Sequence, residues 1–415
     1  MIKRIQFFIN RIRERLWVRP LGMCIVSVLA VFVAKSADGL SFMEWAPEIP
    51  DGTIVNLLRI IASSMLMIAT FAAGAMVSSY VSASQSASPR AFTLVIADDV
   101  SQIALSRFIG AFIYSIVALV AIMYEMFERA GRFTLFCLTL LVFAVVVLTF
   151  VRWVDRIARL GLLSTSVDKA EKATAGAMKK RCHSITMGAH PRTTSIENLP
   201  AVYSERPGYL QHVDMARLQE VAEDNNFRVI VTVQPGTFIW PGDALCHIDG
   251  KSRPDDEQLI AVRKSFHTGK QRTFDEDPQF GMIVLSEIAI RALSPAVNDP
   301  GTAIDIIGRM VRLFTAWQEH RTDASDREVR FENIEAPSLS VGDMMDDAFR
   351  LIGRDGADRL EVGIHLQKGL ASLARSSDRE IREAAIFQAG LALERAETAL
   401  THPADKQRLR AVALS

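Results

Sequence analysis

FTLFCLTLLVFAVVVLTFVRWV, residues 133–154, carries no charged side chain before Arg152. A helix needs roughly 20 mostly apolar residues to cross the hydrocarbon core of a bilayer. This run meets that length, and it decides the fold class. Working outward, three more stretches qualify: Pro20–Ala37, Ile54–Tyr80 with Arg59 near one end, and Ile103–Met126. The first could be mistaken for a signal peptide. It lacks a convincing small-residue cleavage site and three further spans follow, so it reads as a retained span.

Global averages hide this organisation. The net charge is 0 and the charged fraction 23%, as in an ordinary soluble protein, but the apolar residues concentrate before about residue 155. Behind that point the chain is polar and holds all 8 histidines. A chain of 415 residues is too long for one core. It divides on paper into a four-helix transmembrane domain (1–155), a helical linker (156–200), a small β module (201–252) and a helical domain (253–415). The expected class is an α-helical membrane protein with an α+β domain on the cytoplasmic side.

Orientation follows from the Lys and Arg that flank the spans. Lys3, Arg4, Arg11, Arg13, Arg15 and Arg19 precede the first, and Arg152, Arg156 and Arg159 close the fourth. Residues 38–52 carry only acidic charge. Both termini are therefore expected in the cytoplasm of a bacterium and the protein in its inner membrane, with the lipid bilayer as its first partner. Arg129 and Arg132 in the second outer loop run mildly against this pattern.

Two features of the membrane part invite a functional reading. In the second span Thr70, Gly74, Ser78 and Ser82 recur every four residues and share one helical face. Such a face admits close approach of another helix, the commoner use, or lines an aqueous pore. Between the second and third spans, Ser88, Pro89 and Arg90 mark a turn, and Asp98, Asp99 and Gln102 precede Arg107. An Arg90 or Arg107 pairing with Asp98 or Asp99 is the economical reading of this cytoplasmic elbow.

In the polar part, the basic stretch from Lys169 to Arg181 reads as a helix near the inner leaflet, where it would meet anionic head groups or simply solvent. Gly208–Val213, Phe227–Val233, Thr237–Trp240 and Asp243–Ile248 read as strands around a short helix from Met215. The run PGTFIWPGDAL resembles the turn-strand-turn of barrel-sandwich hybrid domains. Carrier domains of that type present a lysine at a hairpin tip, and none stands between the two Pro-Gly turns here, so the resemblance implies a docking module.

Helical periodicity marks Phe280–Leu293, Thr302–Phe314, Met344–Ile352, Val362–Leu373 and Arg379–Leu400, with a short strand near Arg330–Ile334. Between the first two helices, Pro295 stops one helix, Asp299 caps the next and Pro300 suits its first turn. A functional reading of the same junction gathers Arg291, Ser294, Asn298, Asp299 and Thr302 as a ligand or subunit contact.

Catalytic signals are missing from the sequence. It contains no P-loop, GxSxG, HExxH or GxGxxG, and its four cysteines and its histidines show no metal-ligand spacing. Asp255–Glu257 and Asp275–Asp277 are acidic clusters with the charge for a divalent cation, and read first as solvated loop or helix-start residues. No catalytic residue, metal or cofactor is expected, and nothing in the charge points to nucleic acid.

SQSASPRAFTLVIADDVSQIALSRFIGAFIY and FGMIVLSEIAIRALSPAVNDPGTAIDII resemble the signature stretches of the DUF2254 family, bacterial predicted membrane proteins. The resemblance runs over nearly the whole chain. It implies the membrane topology and carries no activity. Two function classes follow: a homo-oligomeric channel or transport protein, or a membrane-anchored sensor or scaffold with no pore.

Overall fold

The computed structural model describes residues 18–39, 47–86, 90, 99–159, 163–323 and 329–414. The chain is mostly helical and forms two compact units, Met1–Ser166 and Val167–Ser415.

The first unit contains α1 (Val18–Ser36), α2 (Asp51–Ser86), α3 (Asp99–Met123) and α4 (Arg129–Arg159). All four are long and apolar enough to cross a membrane. Helix α3 packs against the other three. Where α1 meets α3, a Cβ on Gly110 would stand 2.4 Å from Met23 Cγ, and the Ser27 hydroxyl donates to the Gly110 carbonyl at 2.8 Å. Only a residue without a side chain permits that approach. The Asp38 carboxylate accepts the backbone N–H of Glu128 at 3.1 Å and that of Gly131 at 2.5 Å, tying the end of α1 to the positive N-terminus of α4.

The boundary between the units, 166/167, falls within the first turn of α5 (Leu163–Cys182), later than the 155 expected from the sequence. The physical reason is burial. Val167, Ala170, Thr174, Ala177 and Met178 line one face of α5 and are all buried. A solvated linker would have left them in water.

There follow β1 (Ala189–Pro191), β2 (Ala201–Tyr203), β3 (Gly208–Val213), α6 (Met215–Asp224), β4 (Phe227–Val231), β5 (Phe238–Ile239), β6 (Ala244–Gly250), α7 (Asp256–Arg263) and β7 (Phe266–Gly269). Five strands form one sheet, β1-β8-β4-β6-β2, where β8 (Phe331–Ala336) arrives from late in the chain and lies parallel to both its neighbours. A second sheet, β5-β3-β7, is antiparallel. Both sheets share one core, in which Leu210, Val229, Ile248 and Ile334 meet Leu218 of α6 and Val262 of α7. The β module is therefore wider than 201–252, because β1, β7 and β8 complete its two sheets. Periodicity could not reveal β1 and β7, which are only three and four residues long, whereas β8 coincides with the short strand expected near Arg330–Ile334.

The remaining helices are α8 (Pro278–Leu293), α9 (Pro300–Asp323), α10 (Val341–Asp355), α11 (Leu360–Leu373), α12 (Arg379–Ala399) and α13 (Pro403–Arg410). Helix α8 is buried on nearly all sides, as befits an apolar helix at a bundle centre. It packs on α9 and α10, and α12 closes over α10 and α11.

Candidate functional site

Helix α2 presents two unlike faces. Ile61, Met65, Ala69 and Ala72 are buried against Ala104, Phe108 and Ala111 of α3 and Val146 and Trp153 of α4. Thr70, Gly74, Ser78 and Ser82 point away from this packing and are exposed. Nothing lies within 4 Å of the place a Gly74 Cβ would take. The Thr70 hydroxyl donates to the Leu66 carbonyl at 2.9 Å, which satisfies its donor inside its own helix. The face is a shallow, small-residue surface open to a second helix or to solvent.

Inside the unit, polar groups are used in holding spans together. Tyr114 Oη reaches Thr139 Oγ1 at 3.1 Å and the Leu135 carbonyl at 3.3 Å, and Arg107 Nη1 donates to Thr149 Oγ1 at 2.9 Å. Arg107 thus joins α3 to α4. Of the other elbow residues, Gln102 is buried and Arg90 is exposed in a turn. Asp99 begins α3, and Ser88, Pro89 and Asp98 lie outside the described residues.

The junction between α8 and α9 follows the capping logic. The Ser294 carbonyl accepts from the backbone N–H groups of Val297 (3.1 Å) and Asn298 (2.8 Å), and Asn298 takes a positive φ of 52°. Asp299 then caps α9, accepting from Thr302 N at 3.2 Å and Thr302 Oγ1 at 2.6 Å. Those bonds hold the Asp299 carboxyl below its ordinary pKa. Arg359 donates to Asn298 Oδ1, and Arg291 is half-buried at the end of α8. Ser294, Asn298, Asp299 and Thr302 do gather, as a helix stop and start.

A charged cluster at the N-terminus of α8 escaped the sequence. Asp277, whose side chain is 3% exposed, takes two hydrogen bonds from Arg272 at 2.7 and 2.9 Å and caps α8 through Phe280 N at 3.0 Å. The Arg272 guanidinium lies 5.3 Å from the Phe280 ring. Gly236, at φ +97°, packs so closely that a Cβ there would fall 2.2 Å from Asp277 Oδ2. Next to it, Glu276 contacts His212 Nδ1 at 2.8 Å, and His212 stacks on His267 at 5.8 Å. Arg181 is buried nearby, donating to the Ile185 carbonyl at 3.2 Å; burial depresses its pKa against the pull of Glu276 and Asp277. The reading of 275–277 as solvated loop or helix-start residues fits Asp277, which caps α8. The partners Arg181, His212 and Asp347 were invisible because they come from α5, β3 and α10.

Asp347 in this cluster is pushed up to about 6, by burial first and then by Asp346, Asp343 and Asp277, with Arg272 opposing. A carboxyl raised above its unfolded value stabilises the fold below that value and loses this contribution as pH rises through the folded pKa. The window here runs from about 3.8 to about 6. Asp347→Asn is expected to raise stability at pH 7.5 by up to about 2 kcal/mol, and the gain should vanish at pH 4. Thermal unfolding across that range checks it; an equal effect at both ends would refute the assignment.

Among the described residues no group of three or more His, Cys, Asp or Glu side chains is placed to hold a metal ion. Cys246 is fully buried, and burial pushes its thiol well up, so it is unreactive.

Comparison with known proteins adds three findings. The model of a family described as predicted membrane protein (DUF2254) matches residues 13–372. Two proteins described as uncharacterized, from Mycobacterium bovis and Mycobacterium tuberculosis, are each 34% identical over 104 residues, 24% of this chain. The chain spans about a fifth of the length of these relatives, 20% in each case. No solved structure matches.

Proposed function

Since the chain belongs to the DUF2254 family of predicted membrane proteins, we propose that it is a homo-oligomeric channel or transport protein of the bacterial inner membrane, with both termini in the cytoplasm. The observation that carries this reading is the outward Thr70, Gly74, Ser78 and Ser82 face of α2. Phe108, Tyr114 and Trp153 are fully buried within the four-helix unit, so any path for a solute would run between copies of the chain. Small residues let helices of neighbouring copies approach, and hydroxyls beside them tolerate water. The β module, with its resemblance to barrel-sandwich hybrids, then serves assembly.

Reconstitution of the whole chain in liposomes tests the proposal, with oligomer mass and ion flux as the two readouts. Gly74→Leu is expected to dissociate the oligomer and abolish flux while leaving the fold of the monomer intact, because its side chain enters open space. A wild-type monomer, or a flux unchanged by Gly74→Leu, would overturn it. The sensor or scaffold reading has one observation in its favour: Val167–Ser415 is a compact unit with a core of its own, as a partner-binding domain without any pore would need. Stoichiometric co-purification of a protein, with no flux, would select it.

A further inference from the structure

Helix α12 buries one face, through Ile381, Ala385, Ala389, Ala392 and Ala396, and leaves the opposite face uncovered. That second face carries Arg379, Glu383, Ile386, Phe387, Gly390 and Glu394, all exposed. Their spacing of three to four residues per turn sets them in one stripe along the helix. Ile386 is 50% exposed and Phe387 63%, and among the described residues of Val167–Ser415 no other adjacent pair of large apolar side chains stands in the open. Nothing lies within 4 Å of the place a Gly390 Cβ would take, so a second helix can come close there. Charge flanks the apolar pair evenly. Arg379 precedes Ile386 by the same interval as Glu394 follows Phe387, about two helical turns each way.

We infer that this stripe docks on the same stripe of a second copy of the chain, antiparallel, about a two-fold axis level with Ile386 and Phe387. The axis brings Ile386 and Phe387 of both copies together and sets Gly390 of each against Glu383 of the other. It also places Arg379 of each copy level with Glu394 of the other, so the charge pair forms twice. Arg379 already holds its own Glu383 at 2.7 Å. The second carboxylate completes a Glu-Arg-Glu row at each end of the contact. A parallel pairing would set Arg379 on Arg379 and Glu394 on Glu394, so the charges select the direction. An anionic lipid surface does not suit this face, which carries two carboxylates to one guanidinium. One helix crossing is small beside the interface of a dimer that assembles from dilute solution. Copies anchored in one bilayer meet at a far higher effective concentration. The pairing requires neither a pore nor the α2 face.

Disulfide trapping in membranes that carry the full chain tests this, with Cys24 and Cys137, the native thiols that are not buried, changed to alanine. Ile386→Cys, beside the axis, is expected to form an interchain disulfide under a copper-phenanthroline oxidant, much faster than Thr315→Cys at an exposed position of α9. Arg379→Glu should slow the trapping about tenfold, because two attractions become two repulsions. Adding Glu394→Arg should restore the rate. Equal trapping at Ile386→Cys and Thr315→Cys means random collision and overturns the proposal. Absence of trapping overturns it too, as does a rate that Arg379→Glu leaves unchanged or a loss that Glu394→Arg does not reverse. All four positions are exposed, so the fold does not rest on them. None lies in α2, so failure here is distinct from failure of the channel reading.

Discussion

Gly281→Ala is expected to destabilise the second unit by about 3 kcal/mol, although alanine is intrinsically the better helix former by about 1 kcal/mol. Gly281 lies where α8 crosses α5, and a Cβ there would stand 2.1 Å from Thr174 Oγ1 and 2.7 Å from both Thr174 Cβ and Cγ2. Rotation of Thr174 cannot relieve this, since its own Cβ is among the colliding atoms and its hydroxyl is held by the Ala170 carbonyl at 2.6 Å. The helices must separate, or α5 must leave. Thr174→Gly should restore part of the loss when combined with Gly281→Ala, while lowering stability by itself. Thermal unfolding of the four variants in detergent gives the cycle, and additivity of the two changes would show that the contact is not what constrains the crossing.

A second large effect is expected at Glu335 on β8. Its side chain is 2% exposed and accepts from Thr193 N and Thr194 N at 2.9 Å each, from Thr194 Oγ1 at 2.6 Å and from Arg228 Nη2 at 2.5 Å. One carboxylate thereby joins β8, β4 and the loop after β1. Glu335→Ala returns the half-exposed Arg228 guanidinium to water and leaves the Thr193 and Thr194 backbone donors without their acceptor, an expected loss of about 2–3 kcal/mol. Glu335→Gln keeps the shape and one acceptor, and is expected to lose about half of that.

The pH dependence of the same residue has a fixed sign. Burial pushes its pKa up, but the bonds from Thr194, Thr193 and Arg228 outweigh burial and hold it below the ordinary value of 4.5. A depressed folded pKa contributes stability above the unfolded value and loses it as pH falls through the folded one. Wild type should therefore lose stability on acidification below about pH 4.5 more steeply than Glu335→Gln. Parallel curves would refute the role assigned to the ionised carboxylate. Asp347 works in the opposite sense over a higher range, so the two are separable in one titration.

How far the sequence reached depends on the range of the interaction concerned. Four apolar runs determined four helices long and apolar enough to cross a bilayer, because length and hydrophobicity are tested locally, residue by residue. Asp299 before Pro300 and Asp277 before Pro278 determined where α9 and α8 begin, since a cap acts within three residues. The strands Gly208–Val213 and Phe227–Val231 were legible from their composition.

Only the tertiary structure decided which surfaces these elements bury. Gly74 and Gly110 both stand in apolar spans, yet one faces open space and the other meets Met23. Glu335 looks like an edge charge in a short strand until Thr193, Thr194 and Arg228 arrive from more than 100 residues away. The partners of Asp277 and Asp347 likewise come from separate elements. Periodicity records which side of an element is apolar. It holds no information on what that side packs against, and packing and charge pairing between elements distant in sequence are what give these residues their roles.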